Sequence, residues 1–132
     1  MKIWLKQFVI YYLPVIIWML VIFWLSNRPK VVKLDNPSSD FIIGKTAHLT
    51  EYAVLSVLLF WAVCKNLIVN KINWGIPFLY TVFYAISDEV HQLFIPTRTG
   101  MARDVIIDAI GGVIGLWMLK IIVPKVRNKP TK

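Results

Sequence analysis

The sequence contains a single cysteine, Cys64, so a disulfide framework within the chain is excluded. Charged residues are also scarce, at 17% of the 132 residues, whereas 58% are hydrophobic and the mean hydropathy is +0.64. A water-soluble domain of this size would need far more polar surface around its small core. The composition therefore excludes a small soluble globular domain and favours a membrane protein.

Acidic residues are few, because seven Asp and Glu stand against 15 Lys and Arg, which gives a net charge of +8. An excess of basic residues is common in proteins that bind nucleic acid, but here the basic residues lie mainly between and after long apolar runs. Such a distribution is typical of the flanks of transmembrane helices. The lipid bilayer is therefore an expected partner, and nucleic acid is not.

Four apolar runs are long enough to cross a bilayer as helices, which takes roughly 20 residues each. They cover about residues 7–25, 46–64, 74–95 and 105–123. Residues 26–45 are rich in Pro and Ser and are predicted to form an irregular connection. The predicted fold class is therefore all-α: one domain over residues 1–132, a polytopic membrane protein with a four-transmembrane-helix bundle.

The basic residues beside these spans predict how the protein sits in the cell membrane. Eight of them flank the side that carries both termini and the connection after Cys64, and six flank the opposite side. Cytoplasmic segments carry the excess of Lys and Arg in membrane proteins. Both termini are therefore expected in the cytoplasm, with the loops 26–45 and 96–104 on the outer side.

Polar residues inside the apolar runs are the most informative feature of the sequence. Five of the seven acids and both histidines lie within or at the edge of the last three spans. In an alternating topology, the start of span two, the end of span three and the start of span four lie on the same side of the membrane. We call the group that is predicted to meet there the polar cap. Its members are Lys45, His48, Glu51, Tyr52, Asp88, Glu89, His91, Gln92, Arg98, Arg103, Asp104 and Asp108.

Helical spacing predicts which cap residues face one another, because residues three, four and seven apart share a face. On span three, Asp88 and His91 share a face with Tyr84, whereas Glu89 is expected to point elsewhere. A charged side chain near the membrane centre costs about 2.5–3.5 kcal/mol. The five acids of the cap must therefore be paired, hydrated, protonated or bound to a metal ion.

The motifs of the cap resemble those of the VanZ-like family of small integral membrane proteins. Three segments carry the resemblance, over roughly residues 44–116: a K-x-x-H-x-x-x-Y segment (Lys45, His48, Tyr52), a D-E-x-x-Q segment followed by Pro and Arg (Asp88, Glu89, Gln92, Pro96, Arg98), and two acids before a G-x-x-x-G motif (Asp104, Asp108, Gly111, Gly115). Thr97 stands where the family usually has Gly, and Asp108 stands where Asn is frequent. The resemblance implies a role in the bacterial cell envelope and in resistance to glycopeptides such as teicoplanin.

The first functional hypothesis is a site that binds an amphiphilic envelope molecule, such as a lipid-linked wall precursor or a lipoglycopeptide. The predicted substrate-binding residues are Lys45, Tyr52, Gln92, Arg98 and Arg103, of which the three cations would hold an anionic headgroup. The site is also a candidate for catalysis, in which histidines oriented by carboxylates transfer a proton. The candidate catalytic residues are His48, Glu51, Asp88, Glu89, His91, Asp104 and Asp108.

Two alternatives remain open. A divalent metal ion is a possible cofactor of a membrane-embedded hydrolase, with His48, Glu51, Asp88 and His91 as candidate ligands. The first two stand three residues apart on span two and the last two stand three apart on span three, a spacing used in metal sites on helices. The sequence has no H-E-x-x-H motif to support such a hydrolase. Alternatively, the cap has no ligand and serves only to hold the helices together. The sequence leaves the oligomeric state undetermined.

Overall fold

The computed structural model describes residues 3–28, 37–64, 74–96 and 98–127. All regular secondary structure within these residues is helical, so the all-α prediction is confirmed. The helices are α1 (Ile3–Gln7), a π-helical turn (Phe8–Tyr12), α2 (Leu13–Ser26), α3 (Pro37–Cys64), α4 (Gly75–Gln92) and α5 (Ala102–Arg127).

Helix α3 begins nine residues earlier than the sequence predicts, because Pro37 and the residues up to Lys45 are already helical. The prediction of an irregular connection is therefore wrong for residues 37–45, while residues 29–36 lie outside the described part of the chain. Proline is favoured at the first position of a helix, where its missing N–H would have no partner in any case. Pro37 thus begins the helix, and its presence does not argue against one.

Three helices are long and apolar enough to cross a membrane: Ile3–Ser26, Phe41–Val63 and Ala102–Ile122. The prediction of membrane spans is confirmed for these three. Helix α4 has 18 residues but does not qualify by composition, because the polar residues Asp88, Glu89, His91 and Gln92 lie in its last two turns.

Small residues bring α3 and α5 together as parallel neighbours. A Cβ atom added to Gly111 would overlap the carbonyl oxygen of Leu49, and one added to Gly115 would lie 2.6 Å from the hydroxyl oxygen of Ser56. Only glycine permits an approach this close, as expected of a G-x-x-x-G motif. The contact fixes α3 and α5 at a defined distance and register.

Helices α2 and α4 run in the opposite direction to α3 and α5. The Trp18 indole N–H donates to the carbonyl of Glu51 (2.9 Å), and the Tyr84 hydroxyl donates to the carbonyl of Met19 (2.6 Å). Thr81 of α4 packs against Gly112 of α5. The ends of α2 and α4 therefore meet the starts of α3 and α5 at one end of the bundle, as the alternating topology predicts.

Candidate functional site

Two pairs of polar residues join α3 to α5 at the end of the bundle where these helices start. Lys45 forms an ion pair with Asp104, and one turn further in the His48 Nδ1 atom lies 3.1 Å from Asp108 Oδ1. The two pairs are one helical turn apart on both helices, because the helices are parallel and in register. The structure brings these four cap residues together, as the sequence predicts.

Helix α4 adds its own carboxylates to the same end. Glu89 is buried, and its Oε2 accepts a hydrogen bond from the backbone N–H of Met101 (2.7 Å). One ligand-type atom each of Glu89, His48 and Asp108 lies within 4.8 Å of the others. As the helical spacing predicts, Glu89 points away from the face of Tyr84 and His91, which contact α2, and it is Glu89 that lies beside His48 and Asp108.

Asp88 and Gln92 lie beside this cluster, and both are buried. The Gln92 amide donates to Asp88 Oδ2 at 3.0 Å and, more weakly, to Glu89 Oε1 at 3.4 Å. Asp88 is thus held by a neighbour one turn along its own helix. Within the described residues, no Lys, Arg or His nitrogen lies within 4.0 Å of either Asp88 or Glu89.

Three predicted site residues lie apart from the cluster of His48, Glu89 and Asp108. The ring of Tyr52 is fully buried and packs against Tyr84, with 6.3 Å between ring centroids. The imidazole of His91 lies against the ring of Phe23, with 4.6 Å between centroids. Glu51 is partly buried and contributes its backbone carbonyl to the contact with α2.

A cavity of about 140 Å³ opens at this end of the bundle, between the starts of α3 and α5 and the loop that joins α4 to α5. We call it the polar pocket. Its lining combines three cations with an aromatic ring and several small or polar groups. The lining residues are Phe41, Gly44, Lys45, His48, Gln92, Arg98, Thr99, Met101, Arg103 and Asp104.

The two arginines of the polar pocket have different surroundings. Arg98 donates from Nε to the carbonyl of Arg28 (3.0 Å) and from Nη2 to the carbonyl of Leu25 (3.1 Å), so it caps the end of α2. The side chain of Arg103 is 59% exposed and reaches Asp104 only at 3.8 Å. Arg103 is therefore the cation with more freedom to contact a ligand, while Arg98 also holds two helices together.

Four lining residues escaped the sequence analysis: Phe41, Gly44, Thr99 and Met101. Phe41 and Gly44 share the face of Lys45 and His48 at helical spacing, so their position follows once α3 is known to begin at Pro37. Thr99 and Met101 lie before α5 in a segment without regular periodicity. No pattern in the sequence marks them.

The structure also groups the residues that could hold a metal ion. The group consists of His48, Glu89 and Asp108, one from each of α3, α4 and α5. It shares only His48 with the set predicted from helical spacing. The other predicted ligands, Glu51, Asp88 and His91, are not in this group, because the helix rotations that decide the matter depend on packing between helices.

A family model described as VanZ/LLP1 matches residues 8–123 of this chain. This range includes every described residue of the polar pocket and the cluster of His48, Glu89 and Asp108. Comparison with curated proteins and with solved structures gives no match.

Proposed function

We propose, because the chain belongs to the VanZ/LLP1 family, that this membrane protein binds an amphiphilic anionic molecule of the bacterial cell envelope in its polar pocket. The molecule is a lipid whose headgroup carries phosphate, such as a lipid-linked wall precursor. By handling it, the protein contributes to glycopeptide (teicoplanin) resistance.

The observation that carries this proposal is the combination of cations and apolar surface at the pocket. Lys45, Arg98 and Arg103 line a cavity whose rim includes the exposed ring of Phe41. Arginine offers five N–H donors, of which Arg98 uses two on the carbonyls of α2, so donors remain for phosphate oxygens. A phosphate headgroup would enter the pocket while its chain lies along the apolar outer surface.

The volume of the polar pocket favours one of the candidate ligands. Pockets that enclose drug-sized molecules measure about 300–1,000 Å³, whereas this one measures about 140 Å³. A phosphate-bearing headgroup suits this volume, but a whole lipoglycopeptide does not. An effect on teicoplanin susceptibility would therefore arise through an envelope lipid, without the antibiotic itself entering the pocket.

The proposed topology has α4 as a fourth span. The starts of α3 and α5 are joined by the pairs Lys45–Asp104 and His48–Asp108, so the chain must return across the bundle between them. With 18 residues and a rise of ~1.5 Å per residue, α4 is about 27 Å long, close to the hydrocarbon thickness. The excess of basic residues beside both termini favours the polar pocket on the outer side.

Binding of a polyprenyl phosphate to the detergent-purified protein, measured by native mass spectrometry, tests the proposed ligand. Arg103→Gln is expected to weaken binding roughly tenfold, the loss of about 1.4 kcal/mol from one charged hydrogen bond. Lys120→Gln is the matched control, because it removes one positive charge about 25 Å further along α5. Equal retention of the lipid by the wild type and both variants would contradict the proposal.

The proposed orientation has a separate test. Thr99→Cys, introduced together with Cys64→Ser, gives a chain whose one thiol lies at the rim of the pocket. A membrane-impermeant maleimide is expected to label this thiol in intact cells. Labelling only after the membrane is permeabilised would reverse the orientation without affecting the ligand proposal.

The alternative function, a cap that serves only to hold the helices together, is favoured by one observation. Arg98 donates two hydrogen bonds to carbonyls at the end of α2, and the Gln92 amide donates to the carboxylates of α4. These contacts stabilise the bundle with or without a ligand. Comparing the stability of variants with their lipid binding separates the two functions.

A further inference from the structure

The cluster of His48, Glu89 and Asp108 brings one imidazole and two carboxylates from three different helices to one point. One ligand-type atom of each residue lies within 4.8 Å of the other two. In a tetrahedral zinc site with bonds of ~2.1 Å, ligand atoms lie about 3.4 Å apart. The contact between His48 Nδ1 and Asp108 Oδ1 is already 3.1 Å, and the distances from Glu89, at most 4.8 Å, must shorten by no more than about 1.4 Å.

An unpartnered oxygen lies within this cluster. Asp108 is fully buried, and its Oδ2 has no hydrogen-bond partner among the described residues. A buried carboxylate oxygen without a donor is costly, because it loses its hydration and gains nothing in return. A bound cation would supply the missing partner.

The charge balance around the cluster supports the same conclusion independently. Four carboxylates are buried at this end of the bundle: Asp88, Glu89, Asp104 and Asp108. Lys45 compensates Asp104, but His48 must be neutral to bind a metal ion, so it leaves the charge of Asp108 uncompensated. Asp88 and Glu89 have no Lys, Arg or His nitrogen within 4.0 Å in the described part of the chain. One divalent cation would offset two of the three negative charges of Asp88, Glu89 and Asp108.

We infer that His48, Glu89 and Asp108 form a binding site for a divalent metal ion. A mixed set of one nitrogen and two oxygen ligands suits Zn²⁺ or Mn²⁺, since imidazole favours the former and carboxylates the latter. His48 also lines the polar pocket, so the metal site adjoins that cavity. The site does not depend on the proposed lipid ligand, because the metal alone is enough to test it.

The test uses the full chain, purified in detergent, stripped with a chelator and titrated with Mn²⁺ or Zn²⁺ alone. Elemental analysis and calorimetry are expected to give one bound ion per chain. Glu89→Gln and Asp88→Asn form the matched pair, because the two carboxylates are adjacent on α4, equally buried and both bonded to Gln92. Glu89→Gln is expected to weaken metal binding at least 10-fold, and Asp88→Asn less than about 3-fold.

A measurement on the wild-type protein keeps the inference testable if the Glu89 variant fails to fold. Pulsed electron paramagnetic resonance of bound Mn²⁺ detects coupling to a coordinated imidazole nitrogen. One histidine is expected to give this coupling. The coupling should disappear in His48→Gln and persist in His91→Gln. Folded wild-type protein that binds no stoichiometric metal overturns the inference. Equal loss of binding in Asp88→Asn and Glu89→Gln, or a nitrogen coupling that depends on His91, overturns it as well.

Discussion

Replacing Arg98 with alanine tests whether the polar pocket combines a structural and a ligand-binding role. The guanidinium donates to the carbonyls of Leu25 and Arg28, at the end of α2. Carbonyls in the last turn of a helix lack donors within the helix. A positive charge there also interacts favourably with the helix dipole. Arg98→Ala therefore removes two charged hydrogen bonds and one favourable charge.

The expected cost of Arg98→Ala follows from these contacts. A hydrogen bond from a charged group contributes about 1.5–3 kcal/mol to stability when it is shielded from water. The bond to Leu25 is partly buried, whereas the bond to Arg28 is exposed and therefore contributes little. We expect the free energy of unfolding to fall by about 2 kcal/mol in Arg98→Ala.

Arg103→Ala is the matched comparison, because it removes the same side chain from the same pocket. Its side chain is 59% exposed and its closest carboxylate oxygen is 3.8 Å away, so its loss is expected to change stability by less than about 0.5 kcal/mol. Unfolding in mixed micelles with increasing dodecyl sulfate, followed by tryptophan fluorescence, measures both variants. Equal stability of the two variants would refute the assignment of Arg98 to the end of α2. Unchanged lipid binding in both would favour a purely structural cap.

Two further predictions concern the contact between α3 and α5. In a double-mutant cycle with Lys45→Met and Asp104→Asn, the two residues are expected to show a coupling energy of about 1–3 kcal/mol in the unfolding assay, because Asp104 is buried beside Lys45. Coupling near zero would mean that the ion pair contributes nothing. Gly111→Ala is expected to destabilise the bundle by about 1–3 kcal/mol through its clash with α3, whereas Gly44→Ala, with no atom near its Cβ, is expected to be neutral or slightly stabilising. The same loss in both variants would contradict the close packing.

The convergence of polar residues could be predicted from the sequence because it depends only on order and direction. Once the chain alternates across the bundle, Lys45 and His48 must lie at the same end of it as Asp104 and Asp108, whichever way the bundle is oriented in the membrane. The parallel contact of α3 and α5 also follows, since Gly111 and Gly115 allow a close approach on one face. These features require no knowledge of how individual side chains pack.

The identity of the clustered carboxylate could not be predicted, because Asp88 and Glu89 are adjacent. A rotation of α4 about its axis decides which of them faces α3 and α5, and apolar packing of the whole helix sets that rotation. The role of Arg98 could not be predicted from the sequence either. It depends on where the loop before α5 meets the end of α2, and no periodic pattern links residues about 70 positions apart. The early start of α3 could have been foreseen from the preference of proline for the first helical turn.

The absence of side chains between α3 and α5 at Gly111 and Gly115 constrains how the polar pocket can change shape. With backbones in direct contact, these two helices move as one rigid body, and the Lys45–Asp104 and His48–Asp108 pairs keep their spacing. Widening of the pocket is then expected to come from its remaining wall, residues 98–101, which Arg98 and the N–H of Met101 connect to α2 and Glu89. Entry of a bulky ligand is therefore limited by a few hydrogen bonds rather than by the positions of the helices.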